Sequence, residues 1–172
     1  FASIIIIMII GLIDDIISLS PKIRFAAEIL LIIFLAHTTN YHINNFYGLW
    51  GIFEISNYVS IPLTIFACVG IINAINLIDG VDGLCSGYGM FASLLFAICF
   101  LRMGDVSYAV FAFTTFGALI PSWLHNTFGK SSKMFLGDGG SLILGFICSL
   151  FVTHVVQSGQ EVVTGTISLT LA

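Results

Sequence analysis

From Tyr58 to Ile78 the chain carries no charged side chain, and comparable stretches recur at Leu84–Leu101, Val106–Leu124 and Ser141–Val156, separated by short polar breaks. Runs of this length can satisfy their backbone groups away from water only as helices, so they dictate an all-α, polytopic transmembrane bundle. Composition agrees: 8% of the 172 residues are charged, 58% are hydrophobic and the mean hydropathy is +1.09. Soluble proteins carry about 25% charged residues. A net charge of −4, spread over loops, indicates no nucleic-acid surface.

Local signals set the remaining boundaries. Ser20 followed by Pro21 is an N-cap and first-turn pair, predicting a helix to about His37. Thr38 to Asn57, with its asparagines and alternating Ile-Phe-Glu-Ile-Ser, reads as a loop outside the membrane holding a short hairpin. His125 to Gly140 reads as a polar connection. Phe1 to Ile13 opens directly in apolar sequence, and Gly165 to Ala172 begins another apolar run. The expectation is a single membrane domain over residues 1–172, about five complete or near-complete spans with partial spans at both ends, belonging to a longer protein. Cys68, Cys85, Cys99 and Cys148 lie in or beside apolar runs without metal-binding spacing and read as small buried hydrophobes. The small-residue patches Gly87–Gly89 and Gly117–Ala118 read as helix-packing contacts.

Against this background three acidic clusters stand out: Asp14 and Asp15 after Gly-Leu-Ile, Asn76 to Gly83 (NLIDGVDG), and Phe135 to Ser141 (FLGDGGS). Two spans separate Asp15 from Asp79 and two more separate Asp82 from Asp138, which puts all three on one face. Lys22, Arg24, Lys130 and Lys133 share that face and Arg102 lies on the other, so the positive-inside rule makes the acidic face cytoplasmic. Glu54, Asp105 and Glu161 fall outside as ordinary loop charges.

Carboxylates about 6 Å apart at an effective dielectric near 20 repel by roughly 2 to 3 kcal/mol per pair, so the face calls for a cation. Oxygen-only ligation favours Mg²⁺, which binds through one or two carboxylates plus substrate phosphates. DGVDG and GDGGS each lead into a helix, whose N-terminal amides suit a phosphate. The bland readings are headgroup contacts for Asp14, turn residues for Asp79 and Asp82, packing for Phe135, and topology signals for the basic residues.

The motifs GLIDD, LSPKIRF, NAINLIDGVDGL and MFLGDGGSLILGF, in this order from about Gly11 to Ile147, resemble the polyprenyl-phosphate N-acetylhexosamine-1-phosphate transferases, the family of MraY and WecA. The resemblance implies a Mg²⁺-dependent transferase of the bacterial cell membrane. It would move a sugar-1-phosphate from a UDP-N-acetylhexosamine to a polyprenyl phosphate, releasing UMP and starting a surface glycan. By position it implies catalytic roles for Asp14 and Asp15 beside the lipid phosphate and a metal-binding role for Asp138. Asn76, Asp79 and Asp82 would line the nucleotide-sugar pocket, Phe135 would stack on uracil, and Lys22 and Arg24 would hold phosphate. Ile16 to Ser18 lacks the Lys that follows the aspartate pair in the MraY branch, which favours the WecA-like branch. The family's His-rich loop has no counterpart at His37, His42, His125 or His154, and is expected beyond Ala172. A homodimer is compatible with this reading and not required by it.

Other classes fit less well. An intramembrane aspartyl protease wants glycine where Phe135 stands, a prenyl-diphosphate synthase wants Asp where Ser18 stands, and a CDP-alcohol phosphotransferase wants Ala-Arg where Val81 and Asp82 stand. The runner-up is a membrane carrier with a carboxylate relay, which calls for acids at mid-membrane depth rather than at helix ends.

Overall fold

The computed structural model describes residues 2–39, 41–47, 51–129 and 135–163, and these form six helices. They are α1 (Ala2–Ile17), α2 (Pro21–Thr39), α3 (Asn57–Ile78), α4 (Leu84–Met103), α5 (Val106–Phe128) and α6 (Gly137–Val163). Among the described residues no strand forms. The expected hairpin reduces to one bridge between Asn45 and Glu54, flanked by Phe46 N–H to Phe53 O and Ile55 N–H to Asn44 O at 2.9 Å each. Four helices, α3 to α6, are long and apolar enough to cross a membrane. The expected fifth, α2, carries Lys22, Arg24 and Glu28 within its 19 residues and is not uniformly apolar. Lys130, Lys133 and the run from Gly165 to Ala172 lie outside the described residues.

Two boundaries move for identifiable reasons. Nothing between His125 and Phe128 interrupts α5, which therefore continues into the expected connection and ends at Gly129. Helix α6 starts at Gly137, whose φ of 71° is left-handed, so Asp138 and Gly139 belong to its first turn. The α4–α5 turn is a Schellman stop: Gly104 takes the left-handed conformation, and Asp105 N–H reaches Phe100 O at 2.9 Å.

Helix α6 is the hub, packing against α1, α3 and α4, while α5 pairs with α4. Gly11 lets α1 approach closely, since a Cβ there would stand 2.5 Å from Gly139 Cα. Gly145 does the same for α3 against Ile72. Ile7, Ile32, Ile72, Leu142 and Phe146 form one core, and Ala97, Phe100, Ala112 and Phe151 another. Of the expected packing patches, Gly89 meets Leu119 and Leu144, whereas Gly117 faces open space. Cys68, Cys85 and Cys148 are buried as expected, but Cys99 is exposed on the outside of α4.

Candidate active site

Helix ends bring the acidic motifs together. The C-terminus of α1 supplies Asp14 and Asp15, the first turns of α2 supply Arg24, the end of α3 supplies Asn76 and Asp79, and the start of α6 supplies Asp138. Asp14 is buried; it takes the Leu19 N–H at 2.7 Å on one oxygen and Arg24 Nη1 at 3.2 Å on the other. The same Arg24 nitrogen lies 3.5 Å from Asp138 Oδ1, which also accepts from Asn76 Nδ2 at 2.7 Å. Asn76 additionally donates to Ser141 Oγ at 2.8 Å, tying α3 to the first turn of α6.

The α6 N-terminus is already occupied by anions. Asp15 accepts the Asp138 and Gly139 N–H groups at 2.8 and 3.0 Å, and Asp79 accepts those of Leu136 and Gly137 at 3.3 and 2.9 Å. Four amides at one helix terminus thus meet two of the protein's own carboxylates, where the sequence suggested an open phosphate seat. The compensation is mutual, because the partial positive charge of the helix end offsets carboxylate repulsion.

Asp15, Asn76, Asp79, Phe135 and Asp138 line a cleft of about 280 Å³ together with Gly80 and Gly137. Phe135 is exposed at its edge, and Asp138 keeps 38% of its side chain accessible. Lys22 and Asp82 are exposed and do not line this cleft. Of the expected site residues, seven therefore converge (Asp14, Asp15, Arg24, Asn76, Asp79, Phe135 and Asp138), and two stand apart.

The arrangement carries four carboxylates against the guanidinium of Arg24 among the described residues. No three His, Cys, Asp or Glu side chains there converge as a ready metal cage. Mg²⁺ does not need one, since it completes its shell with phosphate oxygens and water. An accessible carboxylate in an oxygen-only, electronegative cleft fits that mode of binding.

The family model described as Glycosyl transferase family 4 matches residues 1–156. The chain belongs to glycosyl transferase family 4. Within the family, a phospho-N-acetylmuramoyl-pentapeptide-transferase of Staphylococcus aureus is 33% identical over 168 residues, covering 88% of this chain and 50% of that protein. An undecaprenyl-phosphate alpha-N-acetylglucosaminyl 1-phosphate transferase of Yersinia pestis is 28% identical over 155 residues, covering 88% of this chain and 42% of that protein. A phospho-N-acetylmuramoyl-pentapeptide-transferase of Carboxydothermus hydrogenoformans is 39% identical over 92 residues, 54% of this chain and 28% of that protein. The chain spans about half, or less, of the length of these curated relatives. Both branches of glycosyl transferase family 4 are represented, so overall identity does not select between them.

For this family member, sequence reasoning passed over Glu28 and Asn73. Glu28 is fully buried in α2 and accepts Asn73 Nδ2 at 2.5 Å. A second missed cluster closes the opposite end of the bundle. Tyr41 Oη lies 2.6 Å from both Tyr108 Oη and His154 Nδ1, and His154 Nε2 lies 2.8 Å from Asp105. Asp105, expected as a plain loop charge, also caps α5 through the Tyr108 N–H at 3.1 Å. Burial pushes its pKa up, but the Tyr108 amide and His154 outweigh that and hold Asp105 below the usual carboxylate range. Burial, followed by the Tyr108 hydroxyl, pushes Tyr41 up. His42 is likewise structural, its Nδ1 lying 2.7 Å from Ser60 Oγ.

Proposed function

We propose that the complete protein transfers an N-acetylhexosamine-1-phosphate from a UDP-sugar to a membrane polyprenyl phosphate of the undecaprenyl kind, releasing UMP and starting a cell-envelope glycan. The observation that carries the reading is the convergence of Asp14, Arg24, Asn76 and Asp138 at one end of an apolar helical bundle. Charged groups at a membrane boundary suit a reaction between a water-soluble diphosphate and a lipid phosphate. A carboxylate relay through mid-membrane lacks a comparable chain of acids across the described helices.

In this reading an oxygen of the lipid phosphate attacks the sugar-linked β-phosphorus. The bond from that phosphorus to the bridging oxygen breaks, and the electron pair leaves with UMP. The acceptor phosphate, with a second pKa near 6, is largely dianionic at neutral pH and needs little base assistance. Alignment and charge neutralisation therefore dominate. Arg24 engages phosphate oxygens, and Asp14 beside it orients the nucleophile or takes a residual proton. Asp15 contributes by fixing the α6 start, so that Asn76 and Arg24 can aim Asp138. Asp79 holds the Leu136–Gly137 backbone below Phe135, whose exposed ring offers a face for uracil. Lys22 and Asp82 lie outside the cleft and would act at its approaches, Lys22 on phosphate and Asp82 on the nucleotide sugar. Asp138 would hold Mg²⁺, which neutralises diphosphate charge when bound.

The cytoplasmic face of a bacterial cell membrane is the proposed setting, because Lys22 and Arg24 lie at the site's end of the bundle and Arg102 at the other. The proposed donor is a UDP-N-acetylhexosamine without peptide, because Ile16 to Ser18 lacks a lysine. The transfer exchanges one diphosphate bond for another and should be reversible. With lipid-linked sugar, polyprenyl phosphate and Mg²⁺, the complete protein should incorporate labelled UMP into UDP-N-acetylglucosamine. Absence of exchange under conditions that support forward transfer would reject the mechanism. Preferential use of UDP-N-acetylmuramoyl-pentapeptide would reject the donor assignment alone.

A further inference from the structure

Glu28 is fully buried, and its two oxygens are treated differently. Oε2 accepts Asn73 Nδ2 at 2.5 Å, while Oε1 has no hydrogen-bond partner and faces Arg24 Nε at 3.9 Å. An ionisable group in an apolar bundle is costly unless something compensates it, and a buried acceptor left unpaired calls for an explanation. Arg24 supplies one. Its Nη1 bridges Asp14 and Asp138 at 3.2 and 3.5 Å while its Nε edge turns inward to Glu28, one helical turn along α2. A guanidinium is planar, so fixing one edge fixes where the other edge points.

The partner helix reinforces the alignment. Asn73 and Asn76 stand three residues apart on α3 and so share a face. Asn76 reaches Asp138 while Asn73 reaches Glu28, giving two parallel cross-links between α3 and the charges around Arg24. Asn73 also donates to Val69 O at 2.9 Å, which fixes its amide.

We propose that Glu28 is a positioning residue that holds the Arg24 guanidinium with its Nη edge facing Asp14, Asp138 and the acceptor phosphate. The assignment of that phosphate rests on the reading under Proposed function; the clamp on Arg24 does not. Glu28 thereby governs how well the lipid phosphate binds and leaves donor recognition to the Phe135 side of the cleft.

The test uses the complete protein in detergent with Glu28→Gln, Arg24→Lys and the double variant. Glu28→Gln should raise KM for polyprenyl phosphate about tenfold while KM for the UDP-sugar stays within about twofold. In the Arg24→Lys background the same change should cost less than about threefold, because both substitutions act through one group. Independently of turnover, phenylglyoxal should modify Arg24 several-fold faster in Glu28→Gln than in the parent, as read by peptide mass spectrometry. If Glu28→Gln folds poorly, Asn73→Ala, which frees the carboxylate from outside, should accelerate Arg24 modification in the same direction. Additive kinetic effects or an unchanged Arg24 modification rate would overturn the positioning role. A parent that shows no transfer would overturn the function while the modification rate still reports on Glu28.

Discussion

The carboxylate of Asp15 reaches from the end of α1 to the backbone of Asp138, accepting its N–H at 2.8 Å and the Gly139 N–H at 3.0 Å. The residue that prepares the site is thus bonded to the main chain of the residue proposed to bind metal. Asp15→Asn replaces one acceptor oxygen with a donor facing an N–H, so it should lower stability by about 1 to 2 kcal/mol, the range for losing a helix cap. Activity should fall with it. Thermal unfolding of the complete protein measures the first effect; an unchanged midpoint with lost turnover would make Asp15 a participant in chemistry instead.

Close backbone contact supplies a second expectation. A Cβ at Gly11 would lie 2.5 Å from Gly139 Cα, whereas one at Gly70 meets nothing within 4 Å. Gly11→Ala should therefore push α1 from α6 and destabilise by about 1 to 3 kcal/mol. Gly70→Ala should be neutral or slightly stabilising, since alanine is the better helix former. Equal melting temperatures for the two variants would contradict the packing described.

At the far end of the bundle Asp105 is held below the usual carboxylate range, first against burial and then by the Tyr108 amide and His154. A depressed folded-state value means that its stabilisation is complete above the ordinary value of about 3.9 and fades as pH falls through the folded-state value. Asp105→Asn should accordingly lower the melting temperature at pH 7, and the gap to the parent should narrow below about pH 4. A gap independent of pH would show that the cap, rather than the charge, carries the effect.

Cysteine labelling can check the two-ended layout in a background without the four native cysteines. The structure buries Asn45 but exposes Glu54 and Gly80, so the last two are the useful positions. Membrane-impermeant reagent should reach Gly80→Cys and Gly129→Cys from one side and Glu54→Cys from the other. Labelling of Gly80→Cys and Gly129→Cys from opposite sides would contradict a shared site.

How much of this was legible in the sequence depended on the kind of signal. Uncharged runs such as Tyr58–Ile78 and the cap pair at Ser20–Pro21 placed five helices within a few residues, because a membrane leaves the backbone few alternatives. The start of α6 was misjudged because its first turn, Asp138-Gly139-Gly140, is polar and glycine-rich; what makes it helical is capping by Asp15 and Asp79, far away in sequence. Asp14, Asp15, Asn76, Asp79 and Asp138 meet because crossing number puts their helix ends on one face, while Lys22 and Asp82, from the same motifs, share that face but stand outside the cleft. Glu28 escaped notice because its i,i+4 spacing from Arg24 reads as an ordinary helix pair, whereas what distinguishes it, full burial and the contact with Asn73, comes from α3. The Tyr41–Tyr108–His154–Asp105 cluster joins three separate segments by contacts that no spacing rule encodes.

The central claim is that the sugar moves together with its phosphate, and the fate of one phosphorus atom tests it. The complete protein, supplied with polyprenyl phosphate, Mg²⁺ and UDP-N-acetylglucosamine labelled at the β-phosphate, should place the label in the lipid fraction and release unlabelled UMP in equal amount. Asp138→Asn should reduce that transfer by at least about a hundredfold while leaving membrane insertion intact. Recovery of the label in released UDP, with unlabelled sugar on the lipid, would contradict the account.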